Sequence, residues 1–317
     1  MYYFIVNPGS RSGNGKLVWE TLEKILDEEQ IEYRVFFTAY RYHATRLAAD
    51  ITAAGIRLTL VAVGGDGTVN EVINGIRDFS KVIFAYIPTG SSNDFARSLG
   101  LPSTPEEALR NILRPSCYRR IDLGQVTCGK RTRYFAGSSG FGFDAAVCHE
   151  AIASHIKDTL NKFRLGKLTY VGIALKQILF FRPFPMTALL DNGNKLKFSR
   201  TYFVSALNCS YEGGGLKLCP KAKAGDGFLD LCVVEGLSKL TIALMFPTAY
   251  IGRHAIFRGV RLYRTRSLEI RTDKPLPFHT DGEPEYLRGT IRISCLPSCL
   301  TLISGNGNLI DNSAKFS

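Results

Sequence analysis

The sequence predicts an α/β amino-terminal domain with a mostly parallel sheet, followed by a β-rich carboxyl-terminal domain. Over residues 1 to about 115, apolar segments typical of buried strands alternate with amphipathic segments typical of helices. From Tyr118 onward, short strands separated by Gly-rich breaks replace that alternation. The chain of 317 residues is long enough for two domains of ordinary size. We therefore predict a first domain at 1–116, a second at 117–304 and a tail at 305–317, with packing of the tail back on the first domain as one option.

Composition and charge narrow the class of protein. A hydrophobic content of 45% and a charged content of 21% are typical of a globular chain. The net charge of +12 indicates an anionic partner, such as nucleic acid, an acidic membrane surface or a phosphorylated ligand. The sequence has no arginine tract and no RNA-type aromatic motif, so we expect no nucleic-acid partner. A cluster of arginines fits either a solvated face or contact with lipid head groups. Its members are Arg253, Arg258, Arg261, Arg264, Arg266 and Arg271.

Cysteine usage and hydropathy predict a cytoplasmic protein. The eight cysteines form no CxxC pairs and have no zinc-ligand spacing. The apolar segment Met1 to Val6 is too short for the apolar region of a secretory signal. The apolar segment from Leu168 to Phe181 is shorter than the ~20 residues that a membrane span needs. This segment and Leu240 to Phe257 fit either core helices or helices that line an acyl-chain cleft. The sequence leaves the oligomeric state open, and a homodimer is compatible with it.

The main candidate for a binding site is the glycine-rich segment Gly64-Gly-Asp-Gly-Thr68. It follows an apolar segment, Leu58 to Val63, with the β-branched content of a buried strand, and it precedes a helix. Bare glycines at a helix N-terminus let a phosphate approach the backbone N–H groups. Thr68 and Glu71 fit a capping box for that helix. The spacing matches neither the dinucleotide fingerprint, since Asn70 stands at its third glycine, nor a Walker A loop. We predict phosphate binding, with a plain tight turn as the alternative.

Three further loops follow predicted strands. Asn7 to Lys16 is rich in Gly, Ser and Asn, Thr38 follows the strand Tyr33 to Phe37, and Pro88 to Arg97 follows the fourth strand. In the last of these, we expect Ser91 with Asp94 to cap a short helix. The carboxyl ends of parallel strands share one edge of a sheet, and ligands bind there. The sequence therefore predicts that these loops share one ligand site.

Together these segments resemble the diacylglycerol kinase catalytic-domain family, which includes bacterial lipid kinases and, more distantly, sphingosine kinases. Gly64 to Glu71 is similar to its GGDGTxNE motif, and Asn7 to Lys16 to its NPxSGxGK stretch. Pro88 to Arg97 resembles PxGTxNDFAR, with Ser91 in the place of Thr. NAD kinases share the GGDG core but lack this combination. Tyr42 stands where the family usually has a glycine, which leaves the shape of that loop open.

The resemblance implies a first domain of the NAD kinase/diacylglycerol kinase-like fold that binds ATP. It assigns nucleotide contacts along all four loops and the helix after Gly65. These residues are Asn7, Thr38, Gly64, Gly65, Asp66, Gly67, Thr68, Asn70, Glu71, Ser91 and Asn93.

The second domain also carries segments similar to the same family. Arg120-Ile-Asp122-Leu-Gly resembles the start of the family's antiparallel sandwich domain, and Gly213 to Asp230 resembles GGGxxxxPxAxxxDGxLD. The latter resemblance implies a Mg²⁺ ion held by Asp226 and the carbonyls of Lys223 and Phe228. Oxygen ligands suit that cation. Asp-Gly is also a common hairpin turn, so the residues alone favour the turn.

The segment Asp281-Gly-Glu283-Pro resembles the family's D-G-E-P. The resemblance implies that Glu283, assisted by Asp66 or Asp122, accepts the proton of a lipid hydroxyl. The prediction is thus an ATP- and Mg²⁺-dependent lipid kinase, whose acceptor the sequence leaves open among diacylglycerol, another glycerolipid, a ceramide and a sphingoid base. Of these we predict diacylglycerol, with phosphatidic acid, a phospholipid precursor, as product. We expect it to associate peripherally with the anionic head groups of the inner membrane surface, where its lipid substrate lies. The alternatives are an NAD kinase-like enzyme for a soluble substrate and a non-catalytic lipid-binding protein on the same fold.

Overall fold

The computed structural model describes residues 1–153 and 166–305. The chain divides into two compact units: residues 1–121 with the segment from Ser298 onward, and residues 122–297. The predicted boundary at 116/117 lies five residues before this division, and residues 298–304, predicted for the second domain, belong to the first unit. Of the predicted tail 305–317, only Gly305 is among the described residues. The cysteines are free thiols, and no helix in the described parts of the chain is long and apolar enough to cross a membrane.

The first unit contains the predicted parallel sheet, which is thereby confirmed. Its strands pair in the order β2–β1–β3–β4, all parallel. The end of a later strand, β13, adds to the edge of β4 through Thr301 and Leu302, again in parallel. The four strands are β1 (Tyr2–Val6), β2 (Tyr33–Phe37), β3 (Leu58–Gly64) and β4 (Val82–Pro88).

Helices pack against this sheet. Trp19, Leu22 and Leu26 lie at helical spacing on one face of α2, and they pack with Phe4 and Val61 in the core. The helices are α1 (Ser10–Gly13), α2 (Gly15–Glu28), α3 (His43–Ile51), α4 (Asp66–Gly75), α5 (Asp94–Leu99) and α6 (Pro105–Leu113), with a 3₁₀ turn at Phe79–Lys81.

The second unit is β-rich and antiparallel, as predicted. Its strands pair in the order β11–β10–β9–β7–β12–β13, β8 pairs with both β9 and β12, and β5 pairs with β6 and β13. Phe141, Val204, Phe278 and Ile291 share one core. The strands are β5 (Cys117–Cys128), β6 (Arg131–Phe135), β7 (Ser138–Gly142), β8 (Phe184–Leu190), β9 (Lys195–Leu207), β10 (Leu229–Glu235), β11 (Val260–Thr265), β12 (Ser267–Thr280) and β13 (Glu283–Ser304).

A second core of this unit lies between strands and helices. Phe203 and Leu207 of β9 pack with Ile178, Ile242 and Met245 of the helices. The two apolar segments that the sequence left open thus both contribute side chains to a core. The helices are α7 (Phe143–Ala153), α8 (Gly166–Phe180) and α9 (Lys239–Tyr250), followed by a 3₁₀ turn at His254–Ile256.

Candidate active site

Three loops meet at the carboxyl edge of the parallel sheet, after β1, β3 and β4. Asn7 Nδ2 donates a hydrogen bond to Thr68 Oγ1 at 3.3 Å, which joins the first loop to helix α4. The hydroxyls of Ser10 and Thr89 lie 2.8 Å apart and join the first loop to the third. The N–H of Thr89 donates to the carbonyl of Gly64 at 2.7 Å. Of the four loops predicted to share this edge, the three that follow β1, β3 and β4 are therefore joined directly.

Glycines allow the second and third loops to touch through their backbones. A Cβ atom added to Gly90 would lie 2.6 Å from Cα of Gly65, and one added to Gly64 would lie 2.2 Å from Thr68 Oγ1. Neither distance is tolerable, so both positions require glycine. Helix α4 starts immediately after Gly65, and Gly67 lies in its first turn. Its first N–H groups thus sit at the edge where the loops meet, as an anion site requires.

Asp66 links two of these loops. Its Oδ2 accepts from the N–H of Asp94 and its Oδ1 from the N–H of Phe95, both at 3.1 Å. These N–H groups open helix α5, where a carboxylate is stabilised by the helix dipole. The prediction that Ser91 and Asp94 cap this helix is wrong, because the carboxylate of Asp66 already takes the first amides. Ser91 is exposed.

Asn93 holds the third loop in shape. Its backbone is left-handed, with φ of +52°. Its Oδ1 accepts from the N–H of Gly90 at 2.9 Å and from the hydroxyl of Tyr86 at 3.1 Å. The same Tyr86 hydroxyl lies 3.1 Å from the carbonyl of Gly64. Asn93 therefore contacts the loop backbone, which fixes the geometry at the edge of the sheet.

The predicted capping box of Thr68 and Glu71 is also wrong. Helix α4 begins at Asp66, so Thr68 lies inside its first turn and is buried. Glu71 reaches the start of α3 instead, where Oε1 accepts from Tyr42 N–H at 2.9 Å and Oε2 from Ala44 N–H at 3.1 Å. The first amides of a helix lack acceptors within that helix, and here those of α3 take the carboxylate.

Tyr42, which stands where the family usually has a glycine, adopts a backbone conformation that favours glycine. Its φ of +67° and ψ of 8° are left-handed, and it occupies the N-cap position of α3. The loop that the sequence left open thus keeps a glycine-like shape. Among the other predicted nucleotide residues, Thr38 donates its N–H to Val6 at 2.9 Å, and Asn70 is buried within α4, where its carbonyl accepts from Asn74 Nδ2 at 2.8 Å.

In the second unit, Glu283 follows a tight turn between β12 and β13. Asp281 and Gly282 have φ of +49° and +82°, as the two central residues of a type I′ turn require. The carboxylate of Asp281 anchors the turn. Its Oδ2 accepts from Ala136 N–H at 2.9 Å. Its Oδ1 accepts from the N–H groups of Gly137 and Ser138 at 2.8 and 2.9 Å. Asp281 thus holds the backbone that carries Glu283.

A buried acidic cluster that the sequence analysis missed adjoins this turn. His279 Nε2 lies 3.3 Å from Asp144 Oδ2 and 3.0 Å from Glu212 Oε1. The Ser205 hydroxyl lies 2.6 Å from Asp144 Oδ2 and 3.1 Å from Glu212 Oε2. A Cβ atom on Gly140 would lie 2.1 Å from Asp144 Oδ2, so only glycine leaves room for the cluster. Burial raises the pKa of Asp144 above its ordinary value.

The hydrogen bonds of the cluster identify which imidazole nitrogen carries the hydrogen. Burial opposes the imidazolium form, but the neighbouring acidic groups raise the pKa of His279 above its ordinary value. However, Nδ1 accepts the N–H of Gly282 at 3.2 Å, which requires a lone pair there. In the neutral ring the hydrogen therefore lies on Nε2, which faces the carboxylates of Asp144 and Glu212. A metal at Nε2 would need the opposite tautomer, so this arrangement does not fit a metal centre.

The pKa of the Cys148 thiol depends on the charges of this cluster. Burial raises the pKa of its thiol to about 11. The carboxylates of Asp144, Glu212 and Glu283 add to the rise. Glu283 thus contributes to the same local field as the cluster.

Two of the three predicted magnesium ligands, Asp226 and the Lys223 carbonyl, already have partners within the second unit. Asp226 Oδ2 forms an ion pair with Arg264 Nη2 at 2.7 Å, and its Oδ1 accepts the N–H of Phe228 at 3.2 Å. The Lys223 carbonyl accepts the N–H of Gly225 at 2.9 Å. A dication beside the guanidinium would meet a like charge, so these residues, as arranged, do not fit Mg²⁺.

Asp122 lies near this turn. It is fully buried, and its Oδ2 accepts the N–H of Gly227 at 2.7 Å. Gly227 has a φ of +77°, so the Asp226-Gly227 step forms a turn whose conformation favours glycine. Asp122 thus holds the turn that carries Asp226.

Comparison with known proteins identifies the family. The model of the diacylglycerol kinase catalytic domain matches residues 1–126, and that of the YegS C-terminal NAD kinase beta sandwich-like domain matches residues 137–304. The chain therefore belongs to the lipid kinase family that these two domains define. It is similar to "Putative lipid kinase YtlR" of Bacillus subtilis, at 29% identity over 95% of this chain and 98% of the relative. It is 28% identical to "Diacylglycerol kinase" of Mycobacterium tuberculosis, over 76% of this chain and 75% of the relative.

Solved structures share the fold. A diacylglycerol kinase from Bacillus anthracis superposes with a TM-score of 0.70 at 21% identity, over 96% of both chains. An NAD kinase from Archaeoglobus fulgidus in complex with ATP gives a TM-score of 0.51 at 12% identity, over 96% of this chain and 94% of the other. At these identities the likeness extends to the fold. The predicted NAD kinase/diacylglycerol kinase-like architecture is confirmed.

Proposed function

We propose that this protein transfers the γ-phosphoryl group of ATP to a lipid hydroxyl, with diacylglycerol as acceptor and phosphatidic acid as product. The observation that carries this proposal is the set of three cross-linked loops at the carboxyl edge of the parallel sheet. Asn7, Thr68 and the first N–H groups of α4 lie together there. Such a group of amides and hydroxyls suits the phosphates of a nucleotide.

Phosphoryl transfer needs positioning and charge stabilisation more than covalent help from the protein. The P–O bond to ADP breaks, a P–O bond to the lipid oxygen forms, and the hydroxyl proton leaves. We assign that proton to Glu283, because the backbone on both sides of its turn is fixed by Asp281 and His279. Asp66 and Asp122 accept backbone hydrogen bonds, and we assign them to loop geometry.

Similarity to known proteins supports the acceptor side of the proposal. The relatives named above are lipid and diacylglycerol kinases, and this chain covers most of their length. A carboxylate accepts a proton from an alcohol only as the proton leaves in the transition state, so its position matters more than its resting basicity. We propose that the protein meets its substrate at the inner membrane surface, as a peripheral protein.

The test is an assay of the purified protein with labelled ATP and Mg²⁺, a panel of lipids in mixed micelles, and NAD as a soluble acceptor. Glu283→Gln keeps the shape of the side chain but cannot accept a proton, so we expect kcat to fall by roughly 10²–10⁴. Glu285→Gln is the matched control. It lies two residues along β13 and pairs with Arg133 at 2.6 Å, and its kcat should stay close to wild type.

Phosphorylation of NAD without any lipid product would overturn the proposal in favour of a soluble-substrate kinase. Lipid binding without turnover of ATP would make the protein a non-catalytic lipid binder. A lipid other than diacylglycerol as the preferred acceptor would retain the lipid kinase and replace its substrate.

A further inference from the structure

One side of helix α9 presents large apolar side chains to solvent. Ile242, Met245 and Ala249 face inward and are at most 1% exposed. On the other side, Leu240 is 72% exposed and Leu244 is 60% exposed. These two leucines are four residues apart and therefore lie on the same face. The helix is thus apolar on both sides, and only one side has a partner among the described residues.

Neighbouring segments extend this exposed face. Lys239 Nζ donates a hydrogen bond to the carbonyl of Leu179, which brings the end of α8 beside the start of α9. After α9, the N–H of Arg253 bonds back to the carbonyl of Thr248 at 2.9 Å, so the following 3₁₀ turn folds against the helix end. We define the apolar face by its six exposed side chains, which are Leu179, Phe180, Leu240, Leu244, Ile251 and Ile256, between 60% and 73% exposed.

The segments that form the apolar face are positively charged. Residues 166–190 and 236–268 contain no Asp or Glu. Arg182, Lys239, Arg253 and Arg258 are exposed within them. Three further cations of these segments are neutralised locally, since Lys176 pairs with Glu150, and Arg261 and Arg264 pair with carboxylates of β10 and its preceding turn. An apolar surface flanked by cations suits a partner that is both apolar and negatively charged.

We propose that the apolar face docks on an anionic lipid bilayer, with its leucines and isoleucines in the acyl-chain boundary and its cations at the head groups. This inference names the surface for the membrane association in the proposed function, and it rests on that function for a lipid partner. A bilayer supplies both an apolar phase and negative charge. A second copy of this chain would bring the same cations against the face, and like charges repel.

The experiment is co-sedimentation of the full chain with phosphatidylcholine vesicles that contain increasing fractions of phosphatidylglycerol, without ATP. The variant is Leu240→Glu combined with Leu244→Glu. The matched control is Leu17→Glu combined with Ile56→Glu, which makes the same charge change at exposed side chains of the first unit, 60% and 57% exposed. We expect at least a tenfold loss of vesicle partitioning in the variant and less than a twofold loss in the control. Binding should also weaken as salt rises past about 0.15 M.

Kinase activity on a short-chain, monodisperse lipid separates this inference from the proposed function. The variant should keep that activity while losing vesicle binding, because the apolar face holds no residue of the candidate site. Equal vesicle binding by variant and control would overturn the docking surface, as would binding that ignores anionic lipid. A change of oligomeric state in the variant, with unchanged vesicle binding, would instead make the face an interface between copies.

Discussion

The backbone N–H of Gly282 donates a hydrogen bond to His279 Nδ1 at 3.2 Å, and Glu283 is the next residue along the chain. Because Nδ1 accepts this bond, the ring directs its Nε2 hydrogen at the buried carboxylates of Asp144 and Glu212. His279 thus joins a buried acidic cluster to the turn that carries the candidate base. In this arrangement His279 is a positioning residue.

Two substitutions separate the two nitrogens of His279. Asn places an acceptor near the position of Nδ1, and Gln places a donor near that of Nε2. If the bond to Gly282 positions Glu283, His279→Gln should lower kcat by roughly tenfold to a hundredfold, and His279→Asn should retain most of it. KM for ATP should change little in either. Steady-state kinetics on the preferred lipid provide the measurement.

Thermal melting supplies the complementary readout for this pair. His279→Asn removes the Nε2 donor, so the carboxylates of Asp144 and Glu212 lose a hydrogen bond. We expect this loss to lower the free energy of unfolding by about 1–3 kcal/mol. His279→Gln should melt closer to wild type. The same kcat in both variants would mean that the ring does not position the turn.

Asp66 offers a second test, since a catalytic role and a loop-holding role predict different outcomes. Asp66→Asn replaces one carboxylate oxygen by an NH₂ group, which cannot accept a hydrogen bond. The N–H of Asp94 or of Phe95 therefore loses its acceptor. We expect a loss of about 1–2 kcal/mol in unfolding free energy and weaker ATP binding, as the loops loosen. Differential scanning fluorimetry and nucleotide titration measure these effects.

Asp50→Asn is the control for Asp66, because it makes the same chemical change at a side chain that is 68% exposed. Its melting temperature should match wild type. If Asp66→Asn melts like wild type and binds ATP normally while kcat collapses, the catalytic assignment from the sequence is right and the loop-holding assignment is wrong.

These residues show which features sequence reasoning reaches. The strand, glycine turn and helix at Leu58–Gly75 could be predicted, because neighbours along the chain determine them. The capping box failed because the local rule considers only Thr68 and Glu71, whereas the amides that Glu71 binds belong to Tyr42 and Ala44.

The acidic cluster could not be predicted for the same reason. Asp144, Ser205, Glu212 and His279 come from separate elements, and only the pairing of β7 with β9 and β12 brings them together. Two acids with a histidine would be a usable signal if they stood close together in the sequence. Nothing in their spacing along the chain links one to another.

Tyr42 gives a prediction about stability. A left-handed backbone costs a non-glycine residue about 1–2 kcal/mol in stability. Glycine avoids this cost but loses part of the gain, because its unfolded chain has greater conformational freedom. Tyr42→Gly should therefore be more stable than Tyr42→Ala by about 1 kcal/mol, measured by chemical unfolding. Alanine is the right reference, since both variants lose the contact of the ring with Arg41, whose guanidinium lies 4.8 Å from the ring centroid. An alanine variant at least as stable as the glycine variant would contradict the left-handed conformation.

The ion pair of Asp226 with Arg264 leads to a prediction about magnesium. If Arg264 compensates the carboxylate, the melting temperature of the wild type should be the same in EDTA and in excess Mg²⁺, because only a ligand of the native state shifts it.

Arg264→Gln should lower stability slightly, by about 0–1 kcal/mol, since the arginine side chain is 50% exposed. The freed carboxylate should then gain a Mg²⁺-dependent rise. Arg266→Gln is the control, because Arg266 also stacks on Phe228, at 5.0 Å, and should leave the response to Mg²⁺ unchanged. A wild-type protein that Mg²⁺ stabilises, with the effect lost in Asp226→Ala, would restore the cation site formed with the carbonyls of Lys223 and Phe228.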